Sequence, residues 1–186
     1  MMNKLLFSKI LRNLPHLFLV NKTFRSKNVT LVIPDYLLYF VALHLKLSSS
    51  LYNSQLVDIF AYENPVRLSS IDNVSAITGN SVLVYHFHNL FCQTRMTVFS
   101  ISSRSTGLVS PKSISEIFAT AAWLEREVGE LHGLSFEGKK DLRNLMLQYG
   151  DSSAPFRKSY PSIGAKELSY DSVTDTLVQI PVTTQI

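Results

Sequence analysis

The segment Val82 to Leu90 carries large side chains on both faces, Val82 and Val84 on one and Leu83, Tyr85 and Phe87 on the other. Successive residues of an extended chain point to opposite sides. A strand of this kind needs cover above and below, so it predicts a central strand of a sheet. A second run, Thr94 to Ser102, follows a short turn near Phe91 to Gln93, and the two read as a hairpin.

The elements around this hairpin follow from local chemistry. Asn28 to Ile33 is short and β-branched, a strand ended by Pro34, and Pro34 suits the first turn of a helix from Asp35 to about Leu47 that stops at Ser48-Ser49-Ser50. Gln55 to Tyr62 is a further strand closed by Asn64-Pro65, and residues 64 to 80 read as loop with Gly79-Asn80 as a turn signal. Ser113-Ile114-Ser115-Glu116 has the capping-box pattern, and Ile114, Ile117, Phe118, Ala121, Leu124, Val128 and Leu131 keep helical spacing up to Gly133. A shorter helix is expected from Asp141 to Tyr149, with Leu142, Leu145, Met146 and Tyr149 on one side and Gly150 as the stop. Residues 3 to 14 read as an amphipathic helix bearing Leu5, Ile10, Leu11 and Leu14, ended by Pro15. Pro155, Pro161 and Pro181 lie among Ser and Thr with no helical period, so the tail is expected to be extended and to lie on something.

With 186 residues and 46% hydrophobic content, the chain can build one ordinary core and not two. The expected organisation is a basic amphipathic helix and linker over 1–27, a core domain over 28–150, and a tail over 151–186 that docks on partners. The single cysteine, Cys92, excludes a disulfide framework and a thiolate set for zinc or an iron–sulfur cluster. The longest apolar run, Tyr36 to Leu43, falls far short of the ~20 residues a membrane-spanning helix needs. Charge is uneven: residues 1 to 27 hold Lys4, Lys9, Arg12, Lys22, Arg25 and Lys27 and no acid. That pattern can mean an anionic partner, a targeting segment or a solvated helix face.

Most chemistries lack their residues. Gly133 to Lys140 approaches the phosphate-binding loop, but Lys140 stands where a metal-binding Ser or Thr is required, and the segment follows a helix instead of a strand. His86 and His88 share a strand face without a third ligand, and neither a Gly-x-Ser-x-Gly turn nor a Gly-x-Gly-x-x-Gly loop occurs. The basic N-terminus with Phe7, His16, Phe18 and Phe24 could bind RNA, although core packing explains the aromatics more simply. The stretch from Glu125 to Pro161 stands apart. Glu127 and Glu130 fall in the last two turns of the long helix, where the negative end of the macrodipole disfavours acids, so cations are expected nearby. Arg126, Arg143 and Arg157 are the candidates, either as an internal ion-pair cluster or as one presented to a partner.

Five pieces of this stretch occur in a characteristic order: Trp123-Leu-Glu-Arg-Glu-Val-Gly-Glu130, Gly133-Leu-Ser-Phe-Glu-Gly138, Asp141-Leu-Arg143, Tyr149-Gly150 and Pro155-Phe-Arg-Lys-Ser-Tyr-Pro161. Together they resemble the thirty-kilodalton subunit family of respiratory complex I, whose mitochondrially encoded members are called NADH dehydrogenase subunit 9. Leu56-Val57-Asp58, Val84-Tyr85 with the Arg95 strand, and Gln179-Ile180-Pro181-Val182 extend the likeness to about residues 28 to 181. Departures from the family pattern are His132 in place of a hydrophobic or aromatic residue, Lys139 at a position often filled by His, Asn144 where a second Arg is common, Ser159 for an acid, and the lack of a Gly-His segment in 151–154.

The resemblance implies a two-layer α+β domain with a mixed sheet of about four to five strands and three to four helices, followed by an extended C-terminal tail. It implies a structural, non-redox subunit of the peripheral arm of mitochondrial NADH:ubiquinone oxidoreductase, on the matrix side of the inner membrane. This subunit would support electron transport to ubiquinone and the coupled proton translocation by packing against the quinone-site subunit of the forty-nine-kilodalton type. Catalytic, cofactor and metal residues are expected to be none, with FMN and iron–sulfur clusters in neighbouring subunits. The expected partner interface comprises Glu125, Arg126, Glu127, Glu130, Arg143, Tyr149, Arg157, Lys158, Tyr160 and Pro161, with Arg126, Arg143, Arg157 and Lys158 as its charged seam. The alternative from another class is a free-standing phosphate- or RNA-binding protein built on Gly138-Lys139-Lys140 and the basic N-terminus.

Overall fold

The computed structural model describes residues 28–47, 54–65, 79–90, 94–102 and 110–182. Strand β1, Asn28–Pro34, leads through a 3₁₀ turn at Asp35–Leu37 into helix α1, Leu38–Leu47. Strands β2, Ser54–Pro65, β3, Gly79–Asn89, and β4, Thr94–Ser102, follow, then helix α2, Ala121–His132, and two short strands, β5, Lys166–Asp171, and β6, Thr176–Pro181. The main sheet has the order β1-β4-β3-β2 and is mixed: β3 pairs antiparallel with both neighbours, while β1 runs parallel to β4. This is the α+β class expected from the sequence, with β3 inside the sheet as its two-sided bulk requires.

One face of the sheet builds the core. Leu31 and Ile33 of β1, Leu56 and Ile59 of β2, Leu83, Tyr85 and Phe87 of β3, and Val98 of β4 meet Leu38, Val41, Ala42 and Leu45 of α1. Ile114, Phe118, Ala121, Val128 and Phe136 complete the same cluster, so α1 and the α2 region form one layer over the sheet. Asp35, the first residue after β1, is buried in this arrangement and accepts a 2.5 Å hydrogen bond from Ser100 Oγ of β4.

Four sequence expectations change. Gly79 and Asn80 are not a turn: they pair with Pro65 and Asn64, so β2 and β3 run on past the expected loop boundary. The long helix does not begin at Ser113, because the Ser113 hydroxyl donates to Glu125 Oε2, and residues 115–120 form successive turns until Ala121. Asp141–Tyr149 is not helical, since the N–H groups of Leu145, Met146 and Leu147 all point at the Glu130 carboxylate. Among the described residues the helix count is therefore lower than expected. The helix expected over residues 3–14, the turn over 91–93 with Cys92, and the targeting segment weighed for the basic residues 1–27 lie outside the described residues. The tail closes on itself, with β5 and β6 paired antiparallel from Lys166↔Pro181 to Asp171↔Thr176.

Candidate docking surface

Helix α2 organises the region that the sequence singles out. Its face repeats at Ala121, Glu125, Val128 and Leu131–His132, all buried, so a carboxylate sits in a row of apolar positions. Glu125 is fully buried, and its charge is met on every side. Ser113 Oγ donates to Oε2 at 2.7 Å, the Ile114 N–H donates to Oε1 at 2.8 Å, and Lys139 Nζ lies 3.0 Å from Oε2 while donating to the Ala122 carbonyl at 3.0 Å. A buried carboxylate is tolerated when paired and hydrogen-bonded in this way. Glu125 therefore offers no surface to a partner, which corrects its place in the expected interface: it ties α2 to the 113–114 and 139 segments.

The same contact removes the nucleotide-loop reading. The Lys139 side chain is 4% exposed and its ammonium group is committed to Glu125, so the lysine that would meet a phosphate is engaged inside the fold. Gly138, with φ 78°, supplies the left-handed turn that carries the chain from Glu137 to Lys139. His86, one of the paired histidines, has an equally local account. His86 Nδ1 lies 3.0 Å from Thr97 Oγ1 and its ring packs on Phe60 at 5.3 Å, and among the described residues no three metal-ligating side chains converge.

Arg126 and Glu130, one turn apart on α2, hold the non-helical segment that follows. Arg126 donates from Nε to the Arg143 carbonyl at 2.8 Å and from Nη2 to the Asn144 carbonyl at 3.2 Å, and its Nη1 is 3.4 Å from Asp141 Oδ2. Glu130 accepts the N–H groups of Leu145 at 2.7 Å, Met146 at 3.0 Å and Leu147. Desolvation pushes the Glu130 carboxyl up, but these three amides and the Arg126 charge outweigh it and leave it below the ordinary carboxylate range. The acid near the C-terminal end of α2 is thus compensated mainly by backbone amides, a solution that charge counting could not anticipate. Asn144 closes the segment by donating to the Gln148 carbonyl at 2.9 Å and the Asp151 carbonyl at 3.3 Å.

Arg157 caps the helix from the other side. Its Nε donates to the His132 carbonyl at 2.9 Å and its Nη2 to the Gly133 carbonyl at 2.8 Å, where the last turn has no partners of its own. Gly133 adopts φ 62°, and a Cβ there would sit 1.9 Å from Arg157 Nη2, so both the turn and the cap require glycine. The Phe156 N–H adds a bond to the Leu131 carbonyl at 3.0 Å. Lys158 donates its N–H to Glu63 Oε2 of β2 at 2.9 Å, which ties the sheet to the tail across a sequence distance no local pattern could reveal.

The remaining expected interface residues take separate roles. Arg143 is exposed and forms a fork on Asp141, with Nε to Oδ1 at 3.0 Å and Nη2 to Oδ2 at 2.9 Å, and these side-chain bonds hold the Asp141 carboxyl well below its usual range. Glu127 is half-buried, Lys158 and Pro161 are exposed, and Tyr160 is half-buried with its N–H on the Arg157 carbonyl at 3.0 Å. Of the four expected seam cations, Arg126 and Arg143 meet at the Asp141 carboxylate, Arg157 binds main-chain carbonyls at the end of α2, and Lys158 engages Glu63 through its backbone N–H. A cleft of about 390 Å³ opens between α2 and the pinned segment, lined by Gly129, Phe136, Leu142, Arg143 and Asp151 among others. Apolar side chains of that segment turn outward: Leu142, Met146, Tyr149 and Phe156 are all more than half exposed. The tail hairpin does the same with Leu168, Tyr170, Val173 and Leu177. Sequence reasoning missed Ser113, Asp141 and Lys139 as structural partners, although Lys139 already stood out as a lysine in a loop that could not bind nucleotide.

Residues 32–166 match the family described as respiratory-chain NADH dehydrogenase, 30 Kd subunit. The chain is similar to an NADH-quinone oxidoreductase subunit of Ruegeria pomeroyi, 35% identical over 160 residues that span 86% of this chain and 72% of that protein. The corresponding subunits of Cereibacter sphaeroides and Methylibium petroleiphilum are 34% and 43% identical, over 69% and 41% of this chain and 58% and 38% of their own lengths. Two solved structures share the fold at 20% identity. One is a chain of the membrane-bound sulfane sulfur reductase, an archaeal respiratory membrane complex, with a TM-score of 0.70 over 88% of each chain. The other is the trypsin-resistant fragment (1-134) of Nqo5, with a TM-score of 0.55 over 75% of this chain and 99% of the fragment.

Proposed function

The chain belongs to the respiratory-chain NADH dehydrogenase 30 Kd subunit family, and on that premise we propose that it is a structural, non-redox subunit of the peripheral arm of an NADH:quinone oxidoreductase. In this reading it sits on the matrix side of the mitochondrial inner membrane, packs against the subunit that forms the quinone site, and keeps that neighbour's geometry fixed. FMN and iron–sulfur clusters belong to other subunits, and attachment runs through protein contacts. No described helix is long and apolar enough to cross a membrane.

The observation that carries the proposal is the pinned segment from Asp141 to Arg157. Irregular backbone normally moves freely on a surface. Here Arg126, Glu130 and Arg157 fasten it to α2 by seven hydrogen bonds between side chain and main chain, counting two from each arginine and three to the glutamate. Meanwhile Met146, Tyr149 and Phe156 remain exposed. A rigid surface that displays apolar groups binds with little loss of conformational entropy, which suits a permanent subunit contact.

The test is incorporation. Met146→Glu and Tyr149→Glu change exposed side chains without touching the bonds that hold the segment. Both should strongly reduce the amount of this chain in the NADH-dehydrogenase-active band of a native gel while the free chain keeps its circular dichroism spectrum. Wild-type incorporation of both variants would show that this face is not the contact.

A further inference from the structure

His132 is a titratable group that the docking face does not use. It is the last residue of α2, it is 8% exposed, and its Nδ1 has no hydrogen-bond partner among the described residues. Its ring meets the Phe156 ring edge-on at 5.5 Å. Its own carbonyl receives Arg157 Nε at 2.9 Å, and the carbonyl just before it receives the Phe156 N–H at 3.0 Å. The ring therefore sits under the junction at which the 155–161 segment is fastened to α2.

We propose that His132 is a proton-sensitive latch: its neutral ring holds residues 155–161 on the end of α2, and protonation of that ring releases them. A neutral imidazole can remain buried against Phe156 with one nitrogen unpartnered. An imidazolium must carry a full charge and two N–H donors in the same place, where no described acceptor meets Nδ1 and the Arg157 guanidinium is already bound to the same residue's carbonyl. The cheapest response is for the cover to lift, and the cover is Phe156.

The surrounding charges agree with this direction. Burial pushes the imidazole below its ordinary value, the Glu63 carboxylate of β2 draws it up, and Arg157 of the following segment pushes it down again, with a net lowering. On its own helix, the Glu130 carboxylate is turned to the amides of residues 145–147, and Lys158 of the fastened segment is exposed. Since the latched state holds its proton less tightly than the released state, the latch is firm above the ordinary histidine value of about 6.5 and weakens as pH falls below it. Glu63 also accepts the Lys158 N–H, so its charge stays beside the junction in the latched state and moderates the effect without reversing it.

Hydrogen exchange of the full chain at pH 7.5 and 5.5, corrected for the intrinsic rate of each amide, reads the latch through the Phe156 N–H. The expected result is a severalfold loss of protection at Phe156 on acidification, with the amides of β3 unchanged, and no such loss in His132→Phe or His132→Leu. Equal acid sensitivity in the wild type and either variant, or an acid-insensitive wild type, would overturn the proposal. If neither variant folds, the ring signals of the wild type decide by NMR. Titration of His132 below the ordinary value, with the Phe156 ring signals following it, supports the latch, whereas titration at or above that value refutes it.

Discussion

Glu125 shows how a residue can be prominent in sequence and internal in structure. The Glu-Arg-Glu run reads as a charged surface because three ionisable residues are adjacent, yet helical geometry sends neighbours about 100° apart, so Glu125 enters the apolar row while Arg126 leaves it. The row itself, at Ala121, Glu125 and Val128, could have revealed this, but the charge concealed it. Removing the acid alone, as in Glu125→Ala, leaves the buried Lys139 ammonium without its counter-charge and the Ile114 N–H without its acceptor, and should cost about 3–5 kcal/mol in denaturant unfolding. Converting both partners to apolar residues, Glu125→Leu with Lys139→Met, should recover most of that loss, and a double-mutant cycle measures the coupling. Additive losses would mean that the two side chains do not depend on each other. Gly133 makes the complementary case at a single backbone position: Gly133→Ala forces a Cβ onto the Arg157 guanidinium at a positive φ and should destabilise by more than about 1 kcal/mol.

At the scale of elements, the sheet was legible and the α2 region only in part. Each strand of the main sheet carries β-branched and aromatic residues between Pro, Asn and Ser breakers, and the observed strands lie within a few residues of those signals. The two helical failures share one physical cause. The capping Ser113 and the amides of Leu145, Met146 and Leu147 have the local chemistry of helix starts and turns, but each is claimed by a carboxylate of α2 brought there by the fold. Spacing along the chain reports local preference and not which distant group arrives. The Glu130 contact carries its own pH dependence. Because its folded carboxyl is lowered, the contact stabilises fully above the ordinary value of about 4.3 and is lost as pH falls through the lower folded value. Protection of the 145–147 amides should therefore persist at pH 5 and collapse in stronger acid, and Glu130→Gln should weaken it at pH 5 and above and remove most of its acid dependence. Protection in the variant equal to wild type would remove the carboxylate from the account.

For the whole molecule, α1 and α2 cover one face of a mixed sheet, and the chain beyond α2 is fastened back onto that helix before it departs as a hairpin. An isolated two-stranded hairpin is marginal in water, and β5 and β6 expose nearly every side chain, so this part of the chain is suited to be finished by a partner. Family membership was legible because five separate pieces kept their order between Trp123 and Pro161. Their individual tasks were not, since Arg157 as a helix cap and Glu63 as an anchor depend on contacts across 24 and 95 residues. The most direct test of the central claim is to tag the full chain, purify it gently from its host, and identify the chains that accompany it while assaying NADH:quinone reductase activity. A structural role in the peripheral arm predicts stoichiometric recovery of other peripheral-arm subunits together with that activity, and recovery of this chain alone as an inactive monomer would contradict it.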